Sequence, residues 1–268
     1  MTLGEANTTE VVMLGRKLIA IRVLCIMTCG LAATAQADWP NGPDEDPRLA
    51  YPNDPGYIQV NEDGEVTGGQ WNLWSFVPDS YAEKNGFRKA ELSMGTGIHA
   101  DRAWQRTIGD RRTVIAVLDS GIRWNDGDTQ FKHYLSKSEL QNCLPAPLPG
   151  AAPDADPYDV DGNGYFNLAD YLAADADYAV TLDESGNNNG KADPEDLILT
   201  CSDGVDDDGN GFTDDISGWD SFAGDNNPFD DTNYGHGTGE ARDSGAAGND
   251  GRGNIGVCPE CTLLSVRV

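Results

Sequence analysis

Positive charge is scarce in this chain. Its 268 residues hold 18 Lys and Arg against 45 Asp and Glu, for a net charge of −27. That shortage argues against nucleic acid or an anionic membrane as a partner, because both are held through clustered cations. Histidine is rarer still, at three. Long apolar runs are missing too. The stretch from Val23 to Ala33 is too short to cross a bilayer. What remains allows one large domain or two small ones, and 38% apolar residues with six Trp suffice for a sizeable core.

The short apolar run has a different meaning. Arg16, Lys17 and Arg22 lead into it, and Ala35-Gln36-Ala37 is a small-x-small cleavage site before Asp38. Residues 1–37 are therefore read as a secretory signal, with Met13 an alternative start. The protein is expected outside the cell or in the periplasm, with no membrane association after cleavage. From Asp38 onward the charge is −28, from 15 Lys and Arg against 43 Asp and Glu. That part keeps Cys143, Cys201, Cys258 and Cys261. An even count in an exported chain predicts disulfides, with three pairings possible. A local 258–261 bridge and a 143–201 bridge are favoured. Cys258-Pro-Glu-Cys261 also matches a redox motif or half a zinc site, but no second such pair or nearby His pair supports zinc.

The acid is concentrated. Between Asp154 and Asp231 there are 22 Asp or Glu and one basic residue, Lys191. The plain reading is a solvated surface. The other is calcium, which takes hard oxygen ligands. Asp159, Asp161, Asn163, Asn167 and Asp170 stand at positions 1, 3, 5, 9 and 12 of an EF-hand loop, with Gly164 at position 6 and the Tyr165 carbonyl at 7. A weaker copy follows. Asn187, Asn189, Asp193 and Asp196 keep positions 3, 5, 9 and 12, but Ser185 stands at position 1. A third turn offers Asp206, Asp208, Asn210 and Asp214, with Ser217 at position 12 and no helix after it. Calcium is the expected cofactor. The paired loops also resemble dockerin modules.

Two further stretches carry chemistry. Val114 to Leu118 is an unbroken apolar, mostly β-branched run ending in Asp119-Ser120-Gly121. It reads as a parallel strand buried on both faces, with a carboxylate at the end where open α/β sheets keep their sites. An Asp-x-Gly strand end can also be mere turn chemistry. An aspartic-protease dyad would need a second such stretch, and there is none. Asp119 needs a partner, since an unpaired charge in partly dry surroundings is costly. Downstream, Gly235-His236-Gly237-Thr238 sets a histidine among small residues at a predicted helix start. Thr262 to Val268 reads as another strand. Gly97 to Trp104 reads as a turn and short helix with Ala103 and Trp104 inward and His99 at the surface or capping. Residues 38–70 read as extended loop, residues 122–153 as polar and irregular, and Gln70 to Trp74 as an aromatic patch that packs onto a domain.

An apolar run closed by Asp-Ser-Gly and followed by Gly-His-Gly-Thr resembles the subtilisin-like serine peptidases, the subtilases. Trp219-Asp220, Asn227-Pro228, Asp230, Gly256-Val257, Pro259 and Leu264 to Val268 extend the resemblance. It implies an α/β fold, a subtilisin-like parallel sheet with helices on both faces, incomplete here and carrying an inserted calcium-binding segment. The expected layout is 1–37 signal, 38–94 N-terminal extension, and 95–268 partial catalytic domain with 154–232 as the acidic insertion. The resemblance implies that Asp119 orients His236, which acts as general base and then acid for a serine nucleophile cleaving internal peptide bonds. No Gly-Thr-Ser-Met-Ala-like motif occurs, so the chain alone is expected to be inactive. After His-Gly-Thr the family usually has His-Val-Ala-Gly, whereas Gly239-Glu240-Ala241-Arg242 stands here. The resemblance also implies a calcium loop at 248–254 with Asp250 as ligand and Asp128 as its partner. The expected partner is a protein or peptide substrate, and a monomer is expected. The alternatives are a secreted calcium-binding module that docks a partner and a pseudopeptidase.

Overall fold

Three strands meet in one parallel sheet, and its carboxyl edge gathers the charged residues. The computed structural model describes residues 39–88, 97–175 and 177–268, all within one compact unit. The signal reading of residues 1–37 lies outside the described residues. β3 (Val114–Asp119) pairs with β5 (Thr262–Arg267), and β5 pairs with β4 (Gly218–Asp220), giving the order β3-β5-β4. The register sets Asp119 and Asp220 beside Arg267 at one end. Helix α6 (His236–Gly245) joins β4 to β5 as the crossover that parallel neighbours require. Its Ala241 packs with Val117, Ile122 and Leu263. Gly245 lets it lie close, because a Cβ there would come 2.8 Å from Leu263 Cδ2.

β3 departs from the expectation of burial on both faces. Val114 is 43% exposed and Leu118 63%, while the alternate residues Ile115 and Val117 turn toward α6. Successive strand residues face opposite sides, and β3 is an edge strand whose second face is open among the described residues. The polar stretch after it is less irregular than its composition implies. Leu263 N donates to the Lys132 carbonyl and Tyr134 N to the Leu263 carbonyl, both at 2.7 Å, so residues 132–134 line β5 ahead of β4. Trp124, Leu135 and Leu140 are buried in the core of the acidic segment.

That segment holds three short helices, α3 (Leu168–Leu172), α4 (Tyr178–Ser185) and α5 (Pro194–Cys201). Leu168, Tyr171, Leu182, Leu197 and Ile198 turn inward onto Trp124 and Ile216. A Cys143–Cys201 disulfide ties α5 back to the preceding stretch, and Cys258–Cys261 closes locally. Both are the favoured pairings.

The N-terminal stretch is more ordered than a loop. β1 (Ile58–Val60) and β2 (Val66–Gly69) form an antiparallel hairpin, closed by Asn61, whose side chain accepts from the backbone N–H of Asp63 and Glu65. An Asn can replace the backbone's own turn bond, and composition alone hides this. α1 (Asp79–Lys84) follows. In α2 (Ala100–Trp104) the inward pair is Ala100 and Trp104, four apart on one face, and Ala103 is exposed. His99 precedes α2 as its N-cap residue, in the left-handed region, and is exposed. Trp74, Tyr57 and Trp104 form a buried aromatic cluster with Ile255. Gln70 exchanges two hydrogen bonds with the backbone of Ile255.

Trp124 is fully buried and donates from its indole N–H to Asn227 Oδ1 at 3.1 Å. Trp124→Ala is expected to cost about 3–5 kcal/mol, the usual penalty for emptying a buried aromatic site. Urea titration checks this as a lower midpoint with unchanged slope.

Candidate active site and metal loops

Asp119 and His236 are 117 residues apart in sequence and in contact in space. Asp119 Oδ2 lies 2.7 Å from His236 Nδ1. The carboxylate is supported from its own turn, where Ser120 N donates to Oδ1 at 2.7 Å. The approach depends on two glycines. Gly235 takes φ +66° at the helix start, which favours a residue without Cβ. A Cβ on Gly237 would sit 2.2 Å from the Gly121 carbonyl and 3.1 Å from Asp119 Cβ. Gly237 N also donates to Ser120 Oγ at 2.9 Å.

Asp230, fully buried, braces the other side. It accepts from the hydroxyls of Thr232 and Thr238 at 2.6 and 2.7 Å. Asp230 figured only in the motif around His236, and its bracing role needed the fold to appear.

The hydrogen bond from Ser120 N holds the Asp119 carboxyl below its ordinary range, and His236 adds to this. The hydrogen bond and charge of Asp119 in turn raise the His236 imidazole above its usual 6.5. The ring is half exposed, at 51%, and Asp119 at 24%. His236 borders an open cleft of about 730 Å³ whose walls include Arg123, Lys191, Tyr234 and Glu240. A carboxylate on Nδ1 and a half-exposed ring bordering the cleft suit an imidazole to moving a proton through Nε2.

The calcium-loop candidates divide. In the first loop, carboxylate oxygens of Asp159, Asp161 and Asp170 lie within 4.8 Å of one another. Gly164 N donates to Asp159 Oδ1, Asn163 N to Asp161 Oδ1, and Tyr165 N to Asn163 Oδ1. Asn167 and Asp170 form the capping box that starts α3, so Asn167 Oδ1 is engaged by the backbone N–H of Ala169. Burial raises the Asp170 carboxyl above its ordinary value.

In the second loop, Asn189 Nδ2 donates to Asp193 Oδ2, and Asn187 N to Asp196 Oδ1. Asp193 and Asp196 cap α5 as their counterparts cap α3. Ser185 ends α4 and does not serve as position 1. Asp183 does the equivalent work, accepting from Gly190 N at 3.1 Å as Asp159 does from Gly164. This loop is two residues longer, so a fixed spacing missed it. Burial pushes the Asp193 carboxyl up to about 6.

In the third turn, Asp206 and Asp208 converge with Glu139, their oxygens within 4.8 Å of one another. Asn210 Oδ1 accepts from Phe212 N, and Asn210 Nδ2 donates to Asp215 Oδ2. Asp214 turns away, and its carboxylate accepts from the backbone N–H of Asp203 and Gly204. Ser217 instead donates to the Tyr134 carbonyl. The acid that sequence spacing sought at Ser217 comes from Glu139, 67 or more residues upstream, which accepts from Asp207, Asp208 and Asp214 N–H groups. Nothing local in the sequence could have pointed to it. Asp215 Oδ1 is buried with no hydrogen-bond partner.

Asp250 and Asp128 do not join a metal-sized acidic group among the described residues. Asp128 accepts from Asn254 N at 3.1 Å, and Asp250 from Arg252 N at 3.0 Å. The loop is held instead by Asp54, which accepts from Asn249 N and Asp250 N. Burial pushes the Asp54 carboxyl up to about 6.

A comparison with curated proteins found no match. The family model described as the subtilase family, peptidase S8, matches residues 110–268, a span that includes β3, α6, β5 and the acidic segment between them. The match is more than half of the chain, and it accords with the parallel sheet and flanking helices. The chain belongs to the subtilase family of serine-type peptidases.

Proposed function

We propose that this chain carries the acid and the base of a secreted serine endopeptidase. The 2.7 Å contact between Asp119 Oδ2 and His236 Nδ1 is the observation that supports this reading. Asp119 fixes the imidazole with Nδ1 as its donor and stabilises the imidazolium. His236 takes a serine hydroxyl proton on Nε2 as the serine oxygen bonds to the peptide carbonyl carbon. It returns that proton to the nitrogen as the C–N bond breaks, and water then releases the acyl group. Peptide substrates reach the ring through the cleft beside it.

Calcium is the second part of the reading. The donor sets are all hard oxygen, as calcium requires. Asp159, Asp161, Asn163, the Tyr165 carbonyl and Asp170 would hold the first ion. Asp183, Asn187, Asn189, Asp193 and Asp196 are the candidates for the second loop. Glu139, Asp206, Asp208 and Asn210 are those for the third, where the unpartnered Asp215 Oδ1 supports a cation. Calcium supplies positive charge in a segment that has almost none, and it ties the loops to the helices they cap. Asn167 and Asp214 serve the backbone.

In the full-length enzyme, His236→Ala is expected to lower kcat/KM by several orders of magnitude. Turnover within a few-fold of wild type sinks the reading.

The pH dependence has a definite sign. A base must be neutral to accept a proton, so activity rises with pH through the elevated His236 pKa. The stability supplied by the His–Asp pair runs the other way. It is complete between the ordinary Asp value of 3.8 and 6.5, is lost as pH rises through the elevated His236 value, and is lost again as pH falls through the lowered Asp119 value. Asp119→Asn removes the cause of the elevation, so the His236 midpoint should fall, as read by NMR titration.

Millimolar calcium should raise the melting temperature relative to chelator, by about 2.7 kcal/mol of stability where free ion reaches a hundred times Kd. Asp159→Ala with Asp161→Ala should remove the first loop's share. Identical melting curves with and without calcium end the metal reading.

A further inference from the structure

His236 has a carboxylate on each side of its ring. Asp119 lies against Nδ1 at 2.7 Å. Glu240, one turn along α6, lies 3.6 Å from Nε2. Glu240 belongs to the stretch where this chain departs from the His-Val-Ala-Gly pattern, and no other side-chain partner of Glu240 occurs among the described residues. It is 56% exposed and borders the same cleft as the imidazole.

The charged groups around the ring come from every element that faces it. β3 gives Asp119 and α6 gives Glu240. The turn before α6 gives Asp230, with Tyr234 stacked on the imidazole at 5.9 Å between centroids. Arg123 and Lys191 stand on the cleft walls, donating to the Thr232 and Asn125 carbonyls rather than to carboxylates. Arg242, paired with Asp126, and Asp243 also border the cleft. The cations Arg123 and Lys191 and the positive end of α6 oppose protonation of His236. The three carboxylates favour it.

We propose that Glu240 is a positioning residue for His236. In the resting site its carboxylate holds the Nε2 side of the ring, the side on which the nucleophile's proton must arrive. A serine hydroxyl takes that place in the assembled site, and the exposed Glu240 side chain swings into the cleft. Until then the ring is kept against Asp119 and its protonated form is favoured. This rests on the reading of His236 as the base.

The test is an NMR titration of His236 in this chain, with no peptide hydrolysis needed. Glu240→Gln should lower the imidazole midpoint by about 0.2–0.4 pH unit, the ordinary strength of a helical pair four residues apart. Glu240→Asp should recover part of the shift, and the Gln effect should shrink in molar salt. In the full-length enzyme, where the serine hydroxyl holds the Nε2 side and Glu240 has swung away, the acid limb of kcat/KM should move by less than the midpoint moves in this chain. A Glu240→Gln midpoint equal to wild type overturns the proposal, even if His236→Ala abolishes turnover. A shifted midpoint in an enzyme that survives His236→Ala overturns the base reading instead, and with it Glu240's place in the reaction.

Discussion

The contact between Asp119 and His236 constrains everything that lies between them in sequence. A chain that leaves β3 must come back to start α6 within hydrogen-bond distance of where it left. It is closed in stages. Next to the site, Ile122 N donates to the Pro228 carbonyl and Asp230 N to the Ile122 carbonyl. Further out, Trp124 meets Asn227. Beyond that, residues 132–134 run along β5, so the outgoing chain is pinned to the same sheet that carries the acid. The glycines at 235 and 237 then allow α6 to begin against the turn after β3. The contact is thus a product of sheet register and close backbone approach, with Ser120 and Asp230 bracing the groups that meet.

A second constraint is electrostatic. Twenty-two acidic residues and one lysine between Asp154 and Asp231 cannot neutralise one another. The chain meets this mainly with backbone N–H groups. Asp170, Asp183, Asp196, Asp206, Asp214 and Glu139 each accept from main-chain donors. A hydrogen-bonded carboxylate tolerates burial better than a bare one. Burial still raises Asp170, Asp193 and Asp215 above their ordinary range. Backbone donors satisfy much of the hydrogen bonding of these groups, and Asp215 Oδ1 is left without a partner.

Much of this was legible in the residues. The apolar run into Asp119 and the Gly-His-Gly-Thr turn announce a strand and a helix start, because a β-branched apolar run suits a pleated strand and small residues let another backbone approach closely. What stayed hidden depends on distance or on a change in length. Glu139 reaches the third turn from another part of the chain. Asp183 lies outside a rigid twelve-residue count. The exposure of Val114 and Leu118 reflects a sheet face left uncovered among the described residues, which no local pattern encodes. The β1–β2 hairpin was masked by Asn and Gly, which serve turns and loops alike.

Ser136 N donates to the Ile216 carbonyl, and Ser217 Oγ to the Tyr134 carbonyl, with Cys143 joined to Cys201 just above. The acidic segment therefore leaves the sheet and re-enters it at one doorway. Growth or shrinkage of what hangs beyond adds closure entropy only logarithmically. Residues on either side of the doorway need not move. Such an arrangement lets a lineage add, duplicate or discard acidic turns while the strand that ends in Asp119 stays untouched.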